Sequence, residues 1–161
     1  MFISPAMRRN EKEITDQTQI REILYANCVL RIALTDGNQP YLVPMNYGFE
    51  GNTIYLHSAR EGKKLDIIKK NNNVCFEVSD HVETIESEKA CNFGTRYRSV
   101  IGTGKITMVT DRDAIIKALR IIMRQHTEST DWTFSEQMLL RIVILEIDIL
   151  SMTGKISGMH Y

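Results

Sequence analysis

The sequence predicts a mainly β fold with peripheral helices, a small barrel closed at its ends by those helices. Short runs rich in Val, Ile, Leu and Tyr alternate apolar and polar residues with a period of two, the mark of half-buried strands. Tight-turn clusters, Asp36-Gly37-Asn38-Gln39 and Glu50-Gly51-Asn52, join three such runs in succession, which makes an antiparallel meander. About six strands in all, with three or so helices, fit a small barrel. A doubly wound sheet would alternate helices with parallel strands, and three consecutive strands on short turns count against it.

Residues 1–14 are charged and without a clear period, and read as a flexible or irregular arm. Thr15 or Asp16 caps a helix running to about Asn27, with Ile20, Ile23, Leu24 and Ala26 as its apolar stripe. A strand follows from Cys28 to Leu34, with Cys28, Leu30, Ile32 and Leu34 on one face and Arg31 on the other. Tyr41 to Phe49 and Thr53 to His57 are the next two strands. A helix from Gly62 to about Lys70 turns Leu65, Ile67 and Ile68 inward, and Asn71-Asn72-Asn73 ends it. Val74 to Val78 is a fourth strand, and Ser79 to Phe93 a long polar connection. Tyr97 to Val109 reads as a strand in which Gly102 and Gly104 mark a bulge or a close backbone approach. Asp111 caps the clearest helix, whose stripe is Ile115, Leu119, Ile122 and His126. A loop through Trp132, a short helix from Ser135 to Leu140 and a last strand from Ile142 to Leu150 complete a single domain over residues 1–161.

Composition narrows the function classes. Twenty basic residues balance twenty acidic ones, so no overall positive field favours nucleic acid. No apolar run approaches the roughly 20 residues of a membrane helix, and the N-terminal stretch lacks the apolar block of a secretory signal. Cys28, Cys75 and Cys91 form an odd, widely spaced set with no C-x-x-C pair, which fits a reducing cytoplasm better than a disulfide framework or a structural zinc site. Cys28 and Cys75 fall in apolar strand patterns and read as core residues. His57, His81, His126 and His160 show no metal-ligand spacing, and no hydrolase elbow or G-x-G-x-x-G dinucleotide loop occurs. His126, on the inward stripe, reads as a packing residue.

Two constellations remain. His57-Ser58-Ala59 leads through Gly62 into Lys63 and Lys64 at a helix start. Two lysines in a first turn oppose the helix dipole unless an anion compensates, and the free N–H groups there form an anion site, so this is a place to hold a phosphate. The plain alternative is a solvated helix start. In Pro40-Tyr41-Leu42-Val43-Pro44-Met45-Asn46, Pro44 interrupts a strand and frees main-chain groups for something else, such as the polar edge of a planar heterocycle. Protection of an edge strand from aggregation is the simpler reading of the same proline.

Taken together, these segments resemble the nitroimidazole-resistance (Nim-type) proteins, within the wider group of FMN-binding split β-barrels that includes pyridoxamine-phosphate oxidases. The resemblance rests on Met7-Arg8-Arg9, Pro40 to Gly48, His57-Ser58-Ala59 with Gly62-Lys63-Lys64, Val74 to Val78, Tyr97 with Ser99-Val100 and the two following glycines, and Thr153-Gly154-Lys155. It implies a homodimeric split barrel that binds FMN at the subunit interface. On that basis Lys63 and Lys64, with Arg60 beside them, hold the FMN phosphate. Val43, Pro44, Met45 and Asn46 run along the isoalloxazine edge, His57, Ser58 and Ala59 line the ribityl and ring side, and Ser99 with Val100 lies on the adjacent strand. Ser99 stands where the wider group often carries a longer polar side chain. The tryptophan–arginine pattern that recognises pyridoxal in the true oxidases is missing from the C-terminus, so their substrate does not carry over. The implied activity is an FMN-dependent oxidoreductase passing electrons from a nicotinamide or other donor to a small acceptor such as a nitroaromatic. A non-catalytic flavin- or haem-binding module is the alternative, with His57 as the residue that keeps haem open; an OB-like nucleic-acid binder is a weaker third. The sequence leaves open whether Trp132, His160 and Tyr161 reach across a dimer to the flavin.

Overall fold

A computed structural model of the chain describes residues 8–158. Seven strands form one antiparallel sheet: β1 (Glu13–Ile14), β2 (Val29–Asp36), β3 (Gln39–Glu50), β4 (Thr53–Ala59), β5 (Asn73–Ile85), β6 (Gly94–Val109) and β7 (Ile142–Ser157). The sheet order is β1-β7-β4-β3-β2-β5-β6, and β7 also pairs with β6, which closes the strands into a barrel. This is the split β-barrel that the resemblance implied.

Four α-helices accompany it among the described residues: α1 (Gln17–Ala26), α2 (Lys63–Lys70), α3 (Arg112–His126) and α4 (Glu136–Leu139). The local chemistry is as expected. Asp16 caps α1 by accepting from the Thr18 N–H, and Asp111 caps α3 by accepting from the Ala114 N–H. The barrel interior collects the inward residues of every long strand, among them Leu30, Ile32, Tyr47, Phe49, Ile54, Leu56, Phe76, Val78, Val100 and Ile147. Ile20, Ile23 and Leu24 of α1 and Leu65, Ile67 and Ile68 of α2 plug the same core. A second cluster, Ile115, Ala118, Leu119, Ile122, Leu139 and Ile144, lies where α3 and α4 cover the outer face.

Several sequence expectations change. The stretch read as a connection from Ser79 to Phe93 begins as strand: β5 continues to Ile85 across a register shift between Asp80 and Glu83, and only residues 86–93 connect it to β6 at Gly94. Asp80 anchors that irregularity by accepting from Nε and Nη2 of Arg98, at 2.9 and 2.6 Å. Strand β7 runs on to Ser157, because β6 keeps pairing with it as far as Tyr97. The end of the expected arm is ordered too, since Glu13 and Ile14 pair with Lys155 and Gly154; residues 1–7 of it, Met7 included, lie outside the described residues.

Cys28 is exposed and Cys75 only half-buried, so neither is a core residue. Cys28 sits at the bend before β2, where strand alternation does not yet apply. His126 is also exposed, because it is the last residue of α3 and projects past the packed stripe. The bulge expected near Gly102 and Gly104 is present as a register shift against β7 between Thr103 and Gly104. A Cβ on Gly102 would stand 2.2 Å from the Phe76 ring, so that ring needs the glycine beneath it.

Candidate functional site

The site is made by a fork between two strands. β3 and β4 pair from the turn, Glu50 with Thr53, as far as Tyr47 with Leu56. Past that point β4 continues along β7, with His57 opposite Ile144 and Ala59 opposite Ile142. β3 continues instead along β2, with Asn46 opposite Val29 and Pro44 opposite Arg31. A cleft of about 410 Å³ opens between them, lined by Val29, Pro44, Met45, Asn46, His57 and Lys64.

Main-chain groups face this opening. The Tyr47 N–H donates to the Cys28 carbonyl on the β2 side. Successive residues of an antiparallel strand turn their main-chain groups to opposite sides, so Asn46 and Pro44 turn theirs toward the fork. Proline has no N–H. Asn46 therefore supplies the donor there, and the carbonyls of both residues supply acceptors.

α2 supplies the charge. Gly62, at φ 124°, turns the chain into the helix and no side chain caps it. The N–H groups of Lys63 and Lys64 are among those a helix leaves without an internal acceptor. Lys64 is half-buried in the cleft, and that burial holds its ammonium below the usual lysine range. Lys63 is exposed, its Nζ 5.4 Å from the centre of the Tyr41 ring. The His57 imidazole is held below its ordinary value, first by burial and then by the nearby charges of Lys64 and His126. One wall thus disfavours further positive charge and rewards an anion.

Other predicted residues are not brought together here. Ser58 shares its side of β4 with Ile54 and Leu56, so its side chain enters the barrel interior rather than lining the cleft. Its buried Oγ has no hydrogen-bond partner among the described residues. Ala59 is exposed at the strand end, and Val43 packs against the core. Arg60 donates through Nε to the Ile142 carbonyl and does not line the cleft. Ser99 and Val100 are buried on β6, which β2 and β5 separate from β3. Trp132 lies against α3 on another surface, and His160 and Tyr161 are outside the described residues. Val29 also lines the cleft, and its position out of phase with buried Leu30 and Ile32 is the sequence signal of an outward side chain.

Comparison with known proteins agrees with this architecture. The family model for pyridoxamine 5'-phosphate oxidase matches residues 16–156. A candidate 5-nitroimidazole antibiotic resistance protein of Bacteroides thetaiotaomicron VPI-5482 superposes with a TM-score of 0.80 at 32% identity, over 89% of this chain and 86% of that one. The flavocytochrome Anf3 of Azotobacter vinelandii superposes with a TM-score of 0.83 at 18% identity, over 96% of this chain and 73% of its own. A FAD- and haem-binding protein of Mycobacterium smegmatis gives 0.83 at 16% identity, over 92% and 74%. These last two share the fold. An uncharacterised protein of Rhizobium meliloti (strain 1021) is 24% identical over 92 residues, 57% of this chain, and the match spans about half of that protein's length, 54%. The chain belongs to the pyridoxamine 5'-phosphate oxidase-like family of split β-barrels.

Proposed function

We propose that the chain is an FMN-binding oxidoreductase that passes electrons to a small acceptor, and that the fork between β3 and β4 is its flavin cleft. The observation that carries this reading is the meeting of Lys64, His57 and the free main-chain edge of Asn46 and Pro44 around one opening. Lys64 and the first N–H groups of α2 hold the phosphate, and Lys63 adds charge from the rim. The Asn46 N–H and the neighbouring carbonyls match the alternating donors and acceptors of a flavin's polar edge. When bound, the flavin supplies the hydride and electron chemistry, and the protein supplies position and electrostatics. The acceptor class extends to nitroaromatics through the likeness to the Bacteroides protein.

The cleft is open on one side, and a second copy of the chain laid across it would exclude water. Ser99 and Val100 pair with Lys155 and Gly154, far along β7 from the Ile144 that faces His57, and under this reading they contribute through that two-fold arrangement.

The test is the visible spectrum of the purified protein, followed by stopped-flow reduction with NADH and NADPH. Flavin bands, release of FMN rather than FAD on denaturation, and rapid bleaching by a nicotinamide are expected. A colourless protein whose melting temperature ignores added FMN removes the proposal, and sedimentation at a monomer mass removes its two-fold part. The second reading, a haem-binding module, is favoured by one feature: the His57 imidazole lines the cleft, in surroundings that disfavour its protonation. A Soret band instead of flavin absorption would select it.

A further inference from the structure

The flavin reading leaves a second concavity unused. It is a groove of about 590 Å³ over the outer face of α3, floored by Ile116 and Ile121. The chain leaving α3 doubles back along it, which sets Trp132 in one wall beside Ser129 and Thr130. The indole is fixed by its Nε1–H, which donates to the Ser129 carbonyl at 3.0 Å. Opposite it α3 presents Lys117, Arg120 and Arg124.

These cations differ in their engagement. Arg124 is paired with Glu50 at 2.6 Å. No ion pair or hydrogen bond joins Arg120 or Lys117 to another described residue; Lys117 feels Glu146 only at electrostatic range. Asp113 also lines the groove, its side chain 91% exposed and held only by a 3.5 Å contact to Arg112. An anchored aromatic ring, two unengaged cations and an accessible carboxylate therefore line one concavity. Its volume lies within the roughly 300–1,000 Å³ of small-molecule sites.

We propose that this groove is a second small-molecule site, one that takes a nucleoside monophosphate. The base stacks on Trp132, the phosphate is held by Arg120 and Lys117, and Asp113 accepts from a ribose hydroxyl. An aromatic platform tolerates any base, and the paired cations require the phosphate. This site is independent of the flavin cleft, with which it shares no lining residue.

Trp132 is the single tryptophan of the chain and reports on its own site. The experiment titrates the flavin-loaded protein with AMP, following tryptophan fluorescence and equilibrium dialysis of labelled AMP, with adenosine and inorganic phosphate as parallel probes. Expected are saturable quenching by AMP, tighter binding than either probe, no displacement by excess FMN, and unchanged affinity in Lys64→Ala. Double replacement Lys117→Glu with Arg120→Glu should weaken AMP about tenfold or more, the loss of roughly one charge-assisted contact. Both positions are exposed, so the variant should keep its melting temperature. Absence of binding at millimolar AMP, displacement by FMN, AMP no tighter than phosphate, or unchanged affinity in the double variant would each overturn the proposal.

Discussion

Tyr47 and Leu56 are the last paired residues of β3 and β4, and the candidate flavin cleft begins where their pairing ends. The same Tyr47 is pinned by its hydroxyl, which donates to the Leu24 carbonyl of α1 inside the core. Burial raises its phenol well above the usual tyrosine range, so it remains a donor at any physiological pH. The fork is thus hinged on a fully buried residue.

Lys64 is the cation placed inside the cleft and Lys63 the one at its rim. Lys64→Ala should weaken FMN by about 1.5–3 kcal/mol, roughly ten- to a hundredfold, as expected for a lost charge-assisted contact. Lys63→Ala should cost about fivefold or less, as exposed ion pairs do. Titration of flavin fluorescence separates the two, and equal losses would contradict the geometry.

His57 should titrate below the ordinary histidine value of 6.5 in the flavin-free protein. Its folded value is depressed, so between that value and 6.5 the unfolded chain binds more protons than the folded one. Stability contributed by neutral His57 is therefore complete above 6.5 and lost as pH falls through the folded value. Lys64→Ala removes one of the causes and should raise the His57 midpoint. Proton NMR of the imidazole ring checks both statements, and a midpoint unmoved by the substitution would refute the coupling.

Gly48 lets α3 lie against β3, because a Cβ there would stand 2.6 Å from the Ile122 backbone nitrogen. The obstacle is main chain, which cannot rotate away. Gly48→Ala should therefore destabilise the fold by about 1–3 kcal/mol, the range for overpacking a tight contact. Thermal or urea unfolding measures it. An unchanged midpoint would mean that the helix can slide.

Asp80 accepts two hydrogen bonds from Arg98 and one from the Asn27 side chain, at 3.4 Å, and is largely buried. Asp80→Ala removes the two carboxylate oxygens that accept from the Arg98 guanidinium beside the bulge of β5. A loss of about 2–4 kcal/mol is expected, toward the lower side of what breaking a buried pair costs. Double replacement of Asp80 and Arg98 by alanine should recover part of it in denaturant titrations.

Much of the fold was legible in the chain itself because its signals are local. Period-two alternation marked the strand centres, Gly37 and Gly51 at positive φ marked the hairpin turns, and Asp16 and Asp111 marked the helix starts. The lysine pair at the start of α2 and the proline within β3 also showed in sequence, since each conflicts with its local element. Partners were not legible. The tails of β5 and β7 carry too little alternation to declare themselves, and they are strands because β6 pairs with both. Ser58 looked like a cleft residue by its neighbours in sequence, yet strand phase sends it inside with Ile54 and Leu56. The cleft itself is a property of pairing: β4 leaves β3 for β7, and no residue near Leu56 encodes that choice alone. Local backbone preference selects elements, whereas the place where two ladders separate depends on burial summed over strands distant in the chain.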